Sequence, residues 1–519
     1  MEYRYIPKTS HFSATAAKLC IFLCLCVLSS CQPDGTKKEV ALYNTHCGSC
    51  HLAPRIDQLP RDLWENNILP EMGGRLGIRE NGYSPYDGLS MDEQYQVIQS
   101  GIYPPHPVIS LEDWQALKSY ILAEAPDSLA PILREAPLKP LYQFKPKPLE
   151  LDSTAGSLIS FMALDGQGNL FNGDVSGKLS RYNFKTGTNS SLGRFGRGIS
   201  AYNVYEGQEY ITSVGYLDPS EIPSGRVFKR AGDQVSQIPE VLHRPVHTTL
   251  HDFNGDGEQE IVVSEFGDLK GALSLFVKND QGTFEKRVLL MQPGAIRTLV
   301  RDMDRDGKDD LLVLTSQGDE GVGILYQKES LVFEARKALR FSPVFGSSWF
   351  EVVDYEGDGD LDIVTVHGDN ADKSYVHKPY HGMRIHINDG HNNFEEAYFF
   401  PLYGATRVIA SDFDQDGDTD FGLLSTFPDY GEQPVLSFAY LENMDAASFR
   451  FQGYSLDSSA WGRWFLMDSG DLDADGDEDL VLSSFTYYFS PVPVDLRQQW
   501  EGQHTDILVL ENKLYPPEE

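Results

Sequence analysis

Residues 297–314 read Arg297-Thr-Leu-Val-Arg-Asp302-Met-Asp304-Arg-Asp306-Gly-Lys-Asp-Asp310-Leu-Leu-Val-Leu314, an acidic nine-residue loop between two apolar β runs. Acidic residues stand at loop positions 1, 3, 5 and 9, with Gly at 6. Four more segments repeat the pattern. They are Asp252-Phe-Asn254-Gly-Asp256-Gly-Glu-Gln-Glu260, Asp354-Tyr-Glu356-Gly-Asp358-Gly-Asp-Leu-Asp362, Asp412-Phe-Asp414-Gln-Asp416-Gly-Asp-Thr-Asp420 and Asp471-Leu-Asp473-Ala-Asp475-Gly-Asp-Glu-Asp479. Their starts lie 50, 52, 58 and 59 residues apart. An internal period of this size predicts stacked or radial repeats.

Oxygen ligands at 1, 3, 5 and 9 can wrap a hard cation at about 2.3–2.6 Å, the calcium range. The spacing overlaps the start of an EF-hand loop, but that loop needs flanking helices and a Glu at position 12. Here both flanks are β runs, so the five loops are expected to be calcium-binding hairpins. Metal ligands would be Asp252, Asn254, Asp256 and Glu260, with the corresponding four in the other loops. The Asp252 loop, with Asn254 and Glu260, is the poorest donor set. The ions are expected to stiffen hairpins rather than to catalyse.

Hairpins of this kind, followed by runs such as Leu361-Asp-Ile-Val, resemble FG-GAP/VCBS repeats, which implies an all-β propeller over 151–519. The likeness is strong over about 245–490. Two units without acidic loops fit at about 156–190 and 195–235, making seven blades, with Asp506–Glu511 as a closing strand.

The chain has 519 residues and a net charge of −34, and 41% of its residues are hydrophobic. That is enough apolar material for a core, and the charge disfavours nucleic acid. The five loops account for −23 of it, with 25 acidic residues against Arg305 and Lys308.

Upstream, Arg4, Lys8 and Lys18 precede the apolar run Leu19–Leu28, too short for a membrane span. It ends in Leu28-Ser-Ser-Cys31, which resembles a bacterial lipoprotein box and implies a signal peptide over 1–30, lipidation at Cys31 and a tether over 31–38. The expected location is the cell envelope, lipid-anchored at the outer membrane, periplasmic or surface-facing, with the lipid as the sole membrane contact.

Cys20, Cys24 and Cys26 would leave with the signal, so Cys47 and Cys50 remain, in Cys47-Gly-Ser-Cys50-His51. C-x-x-C-H is the attachment signature of covalent haem c, with two thiols for the vinyl groups and an adjacent imidazole for the iron. A thioredoxin-like pair would need a preceding strand, and a zinc site a second Cys/His pair; neither is present. Residues 39–125 therefore resemble a small all-α cytochrome c domain.

Met72, in a loop between Pro70 and Gly73-Gly74, is the expected distal ligand, with Met91 at the start of a helix as the alternative. The closing helix starts at Ser110, with Trp114, Leu117, Ile121 and Leu122 as its apolar stripe. Residues 126–150, with six prolines from 126 to 148, read as a linker.

In a hairpin repeat, strand starts and ends share the face opposite the acidic loops. That face should gather Arg297, Asp369, Asp372, His381, Arg384, Arg407, Asp429 and Arg463, with inter-blade salt bridges as an equally weighted alternative. Three functions fit. The first is an electron-transfer lipoprotein, with a redox protein or small molecule as partner. The second is a haem-containing oxidoreductase, resembling sugar or alcohol dehydrogenases, with substrate on the propeller face. The third is an adhesion or glycan-binding propeller, which a fused haem domain weakens. The first is favoured.

Overall fold

The computed structural model describes residues 34–80, 82–134, 137–369, 374–487 and 490–514. The expected signal peptide, Cys31 and Asp372 lie outside them. Seven antiparallel sheets form a ring, each opening on an inner strand that contacts the inner strands of its neighbours. The inner strands are Ile159–Leu164, Ile199–Tyr205, Pro245–His251, Ala295–Arg301, Ser347–Val353, Ala405–Ser411 and Trp464–Gly470, in blades I to VII. This is a seven-bladed β-propeller. The two units without acidic loops are blades I and II, spanning 159–194 and 199–237.

Second strands such as Glu260–Glu265, Asp310–Thr315 and Asp420–Ser425 are buried at every position, sandwiched between neighbouring blades. That explains their continuous Val/Ile/Leu runs, where a one-sided strand would alternate. Each inner strand carries an irregularity between its first and third residues, from Ile159/Phe161 through to Trp464/Leu466. Such a bulge re-aims side chains at a barrel rim. Three bulge hydroxyls bond to the next blade's first residue: Ser160 to Ile199 O (2.8 Å), Ser200 to Pro245 O (2.8 Å) and Ser348 to Ala405 O (3.3 Å).

The ring closes with chain from both ends. Blade VII takes Trp464–Gly470, Asp479–Ser484 and Ile507–Glu511, and its outermost strand is Lys145–Leu149, antiparallel to Ile507–Glu511. The expected linker thus supplies a propeller strand, and Lys139–Pro140 pairs in parallel with blade VI. Pro146 and Pro148 stand two apart, so their missing N–H groups face the same open edge and cost no ladder bond.

The N-terminal part is helical. Helix α1 (Asp34–Cys47) packs on α4 (Leu111–Glu124), with Tyr43 edge-on to Tyr120 at 6.5 Å and Lys38 paired to Asp113 at 2.8 Å. Ser110 caps α4 as expected, accepting from Asp113 N, and Trp114, Leu117 and Ile121 are buried. Between them lie α2, a helical run over 61–75 with a wide turn at Trp64–Ile68, and α3 (Met91–Ser100).

Met72 sits inside α2, where a loop was expected. The reason is packing: a Cβ on Gly73 would meet the Trp114 ring at 2.9 Å, and one on Gly74 the Tyr83 ring at 2.7 Å. The Gly-Gly pair serves close helix approach to these rings. No helix among the described residues is long and apolar enough to cross a membrane.

Candidate functional site

The helical part docks on the propeller face opposite the acidic loops, through blade V. Val344 joins the buried cluster of Tyr43, Leu59, Trp64 and Leu117, and Phe345, Val376 and Tyr380 pack against it. Tyr380 donates its hydroxyl to Gln58 O at 2.8 Å, and Ser342 donates to the Gln58 side chain at 3.2 Å. Cys47, the last residue of α1, packs at the edge of the same cluster, while Cys50 is exposed. Burial pushes the Cys47 thiol up to about 12, the opposite of the lowered value that a reactive dithiol pair needs. Met72 is partly buried; Met91 is 86% exposed at the start of α3.

The expected face residues do not converge on one funnel. Arg297 and Arg407, at equivalent positions in blades IV and VI, stack on one ring between them, with guanidinium carbons 3.9 and 4.5 Å from the Trp349 centroid. Arg297 also pairs with Glu351 (2.6 Å), which accepts from Trp349 Nε1 (2.9 Å). Burial lowers Arg407 to about 10, and Asp369 is its compensating charge.

Arg384 is interior, stacked between Phe345 (4.6 Å) and Phe399 (4.2 Å) and ion-paired with Glu396 (3.0 Å). Arg463 is 1% exposed and bonds to Tyr487 O and Ser490 Oγ. Arg384 lies on the third strand of blade V and Arg463 just before the inner strand of blade VII, and both are held inside by these contacts.

A cavity of about 260 Å³ does lie on this face, lined by Tyr375, His377, His381, Phe427, Asp429 and Tyr430, with Ser490–Pro493 at its side. It brings His381 and Asp429 together and adds His377, which sequence reasoning missed. In the segment 374–381, Tyr380 packs against the helical cluster, His377 and His381 line the cavity, and Val376 touches both.

Sequence reasoning also missed a buried chain of hydrogen bonds beneath the docking site. Glu320 accepts from Ser347 N (2.9 Å) and Ser347 Oγ (2.7 Å). Ser347 Oγ meets His367 Nδ1 at 3.0 Å, and Thr365 Oγ1 bridges His367 Nε2 (2.9 Å) and His386 Nε2 (3.0 Å). With Glu320 ionised, donor logic fixes every proton along the chain: His386 gives to Thr365, Thr365 to His367, His367 to Ser347 and Ser347 to Glu320.

On the other face, the five acidic loops share one geometry. The position-1 carboxylate accepts from the Gly N–H at position 6, as in Asp302 with Gly307 (2.9 Å) and Asp412 with Gly417 (3.0 Å). The position-9 carboxylate accepts from position 2 and, in four loops, from the blade's third strand or the residue after it. Asp310 takes Met303 N and Gln327 N; Asp362 takes Tyr355 N and Asn388 N. Asp420 takes Phe413 N and Asn443 N, and Asp479 takes Leu472 N and Asn512 N. Glu260 accepts from Phe253 N at 3.0 Å without a matching third-strand bond among the described residues, its longer stem displacing the carboxylate.

Carboxylate oxygens gather within 4.8 Å in Asp302/Asp304/Asp306, Asp412/Asp414/Asp420 and Asp471/Asp473/Asp479. Burial, with neighbouring carboxylates adding to it, raises Asp418 to about 6 and Asp420 and Asp479 to about 7. This donor set is one that a bound cation would relieve.

Residues 302–365, from the blade IV acidic loop to the second strand of blade V, match the FG-GAP-like repeat. The propeller carries an FG-GAP-like repeat. No curated protein matches the chain. Among solved structures, the WD40 domain of SCAP from fission yeast matches at 11% identity, covering 71% of this chain and 88% of that one, with a TM-score of 0.36. YCF48 bound to D1 peptide matches at 9%, covering 73% and 99%, with a TM-score of 0.42. The Neurospora crassa Pan2 WD40 domain matches at 12%, covering 74% and 98%, with a TM-score of 0.41.

Proposed function

We propose that the chain is an exported, lipid-anchored c-type haem protein in electron transfer, with the propeller as its docking or substrate-binding module. The supporting observation is the placement of Cys47-Gly-Ser-Cys50-His51 at the end of α1, against the apolar cluster that also holds Val376 and Tyr380 of the propeller. Cys47 and Cys50 would carry the thioethers and His51 would hold the iron; of the two Met candidates for a second ligand, half-buried Met72 fits better than exposed Met91. Covalent haem supplies one-electron chemistry when bound. The chain's own contribution is to present Cys47 at the edge of the apolar cluster that Tyr43 and Trp64 share with Val344 of the propeller.

Cys31 would carry the lipid, placing the protein at the cell envelope. Calcium in the acidic loops would tie four of the five hairpins to their third strands through the position-9 carboxylates Asp310, Asp362, Asp420 and Asp479. Expression with a cytochrome c maturation system tests this. The purified protein should show a covalent haem c spectrum that Cys47→Ala and Cys50→Ala abolish. Its absence from the wild type ends the proposal.

A second reading, an oxidoreductase, draws on the cavity around His381 and Asp429, which adjoins the segment that docks the helical part.

A further inference from the structure

The position-9 carboxylates of the acidic loops are buried, and the hydrogen bonds they accept continue from blade to blade. Glu260 of blade III takes the Phe253 N–H at 3.0 Å, and the carbonyl of that residue accepts from Gln327 Nε2 at 3.0 Å. Gln327 N donates in turn to Asp310 Oδ1 at 2.8 Å, so one buried residue of blade IV joins the two loops.

Asp310 passes the chain on. Its Oδ2 takes Met303 N (2.9 Å), and Met303 O accepts from Asn392 Nδ2 (2.7 Å). Asn392 Oδ1 accepts from Asn388 Nδ2 (3.2 Å), and Asn388 N donates to Asp362 Oδ1 of blade V (2.8 Å). Blades VI and VII are joined in the same manner. Phe413 N donates to Asp420 (3.2 Å), Asn512 Nδ2 to Phe413 O (2.8 Å) and Asn512 N to Asp479 Oδ1 (2.8 Å).

Between blades V and VI the chain stops. Tyr355 N donates to Asp362 at 2.9 Å, but no side chain donates to Tyr355 O among the described residues. Asn443, the counterpart of Asn512, turns its amide to Thr419 O (3.1 Å) in its own loop. The loop surface repeats this break. At position 4, Arg305 and Gln415 take φ of +58°, a region that disfavours side chains, and each reaches the position-6 carbonyl of the next loop. Arg305 donates to Gly359 O, and Gln415 to Gly476 O at 2.8 Å. Blade V has Gly357 at position 4 and no side chain with which to reach blade VI.

Each carboxylate in the chain is thus a cation ligand in the reading above and a link to its neighbour. An ion that fixes one carboxylate fixes the peptide bonded to it, and through that carbonyl and an amide side chain the next carboxylate. Breaking the chain strands buried polar groups, so its members move together. We propose that the acidic loops take up cations in two coupled groups, blades III to V and blades VI and VII, with no coupling across the V–VI junction. Gln327, Asn392 and Asn512 are the positioning residues. This rests on the calcium role given to the loops and adds which of them act together.

Hydrogen exchange read by mass spectrometry, across a calcium titration of the metal-stripped full chain, gives each loop its own midpoint. Asp475→Asn disables the blade VII loop while keeping the Oδ1 that accepts from Asp477 N. It should move the blade VI midpoint to about fivefold higher calcium and leave blade V unchanged. Asp358→Asn, which likewise keeps its acceptor for Asp360 N, should move blade IV and leave blade VI unchanged. Asn512→Ala with Gln415→Ala should cancel the shift that Asp475→Asn causes in blade VI. Where that pair unfolds the ring, Gln415→Ala alone should reduce the shift; Ala already stands at this position in blade VII, as Ala474. The coupling is overturned if blade VI ignores Asp475→Asn, follows Asp358→Asn as closely, or shifts undiminished in the link variants. Exchange that ignores calcium in every loop overturns the calcium role itself, and is told apart from loops that respond one by one.

Discussion

Glu320 offers a direct test of the buried hydrogen-bond chain in blade V. It is 2% exposed, and burial raises its carboxyl from 4.5 to about 7, against Ser347, the Gly346 backbone and Lys378, which pull it down. A raised folded-state value means that the stability from this group is fully present below pH 4.5 and is lost as pH rises to about 7. At 1.36 kcal/mol per unit, the loss is about 3 kcal/mol.

Glu320→Gln keeps an acceptor oxygen for Ser347 N–H and Oγ–H but does not titrate. The melting temperatures of variant and wild type should therefore diverge in the variant's favour across this window, by about 4 °C for a propeller of this size. Thermal melts followed by circular dichroism at both ends of the window give the comparison. Asp420 and Asp479 also titrate near the upper end, but they are common to both proteins and cancel in the difference. A gap that stays constant with pH would refute the raised Glu320 carboxyl.

Calcium should raise the melting temperature and chelation should lower it, each saturated site adding about 3 kcal/mol at a hundredfold excess over its dissociation constant. Asp414→Ala and Asp473→Ala should each remove part of that gain in scanning fluorimetry, and a melt indifferent to chelator counts against the metal sites. Trp349→Ala removes the ring between Arg297 and Arg407, with an expected cost of about 2 kcal/mol for two partly buried cation–π contacts, read by urea unfolding. Leu508, fully buried in blade VII, should cost about 3 kcal/mol as Ala, and a loss below about 1 kcal/mol would mean that the closing strand is not packed as described.

The propeller was legible because its signals are local. Gly at position 6 takes φ values of +83° at Gly307 and +97° at Gly476, a conformation that the loop spacing alone requires. Buried second strands show as unbroken apolar runs. The closing strand was not legible, since Lys145-Pro-Lys-Pro reads as a linker until its edge position is known. Met72 was misplaced because Pro70 and Gly73-Gly74 look like loop residues, and their helical role depends on Trp114 and Tyr83 arriving from elsewhere in the chain. The face residues depended on the inner-strand bulges and on which side of the 374–381 segment each side chain takes. Glu351 could have been found from two-residue alternation along the strand that carries Trp349.

The pairing of Lys145–Leu149 with Ile507–Glu511 joins segments about 360 residues apart, a closure worth about 5 kcal/mol of chain entropy. It also sets a schedule for biosynthesis. Six blades can assemble while the chain is still being made, but blade VII lacks its third strand until Ile507–Glu511 emerges. Until then Asp479–Ser484, apolar-rich and destined for complete burial, is an open sheet edge. A cut between Ser484 and Ile507 would therefore unlatch the whole ring, because it parts blade VII from the strand that closes it.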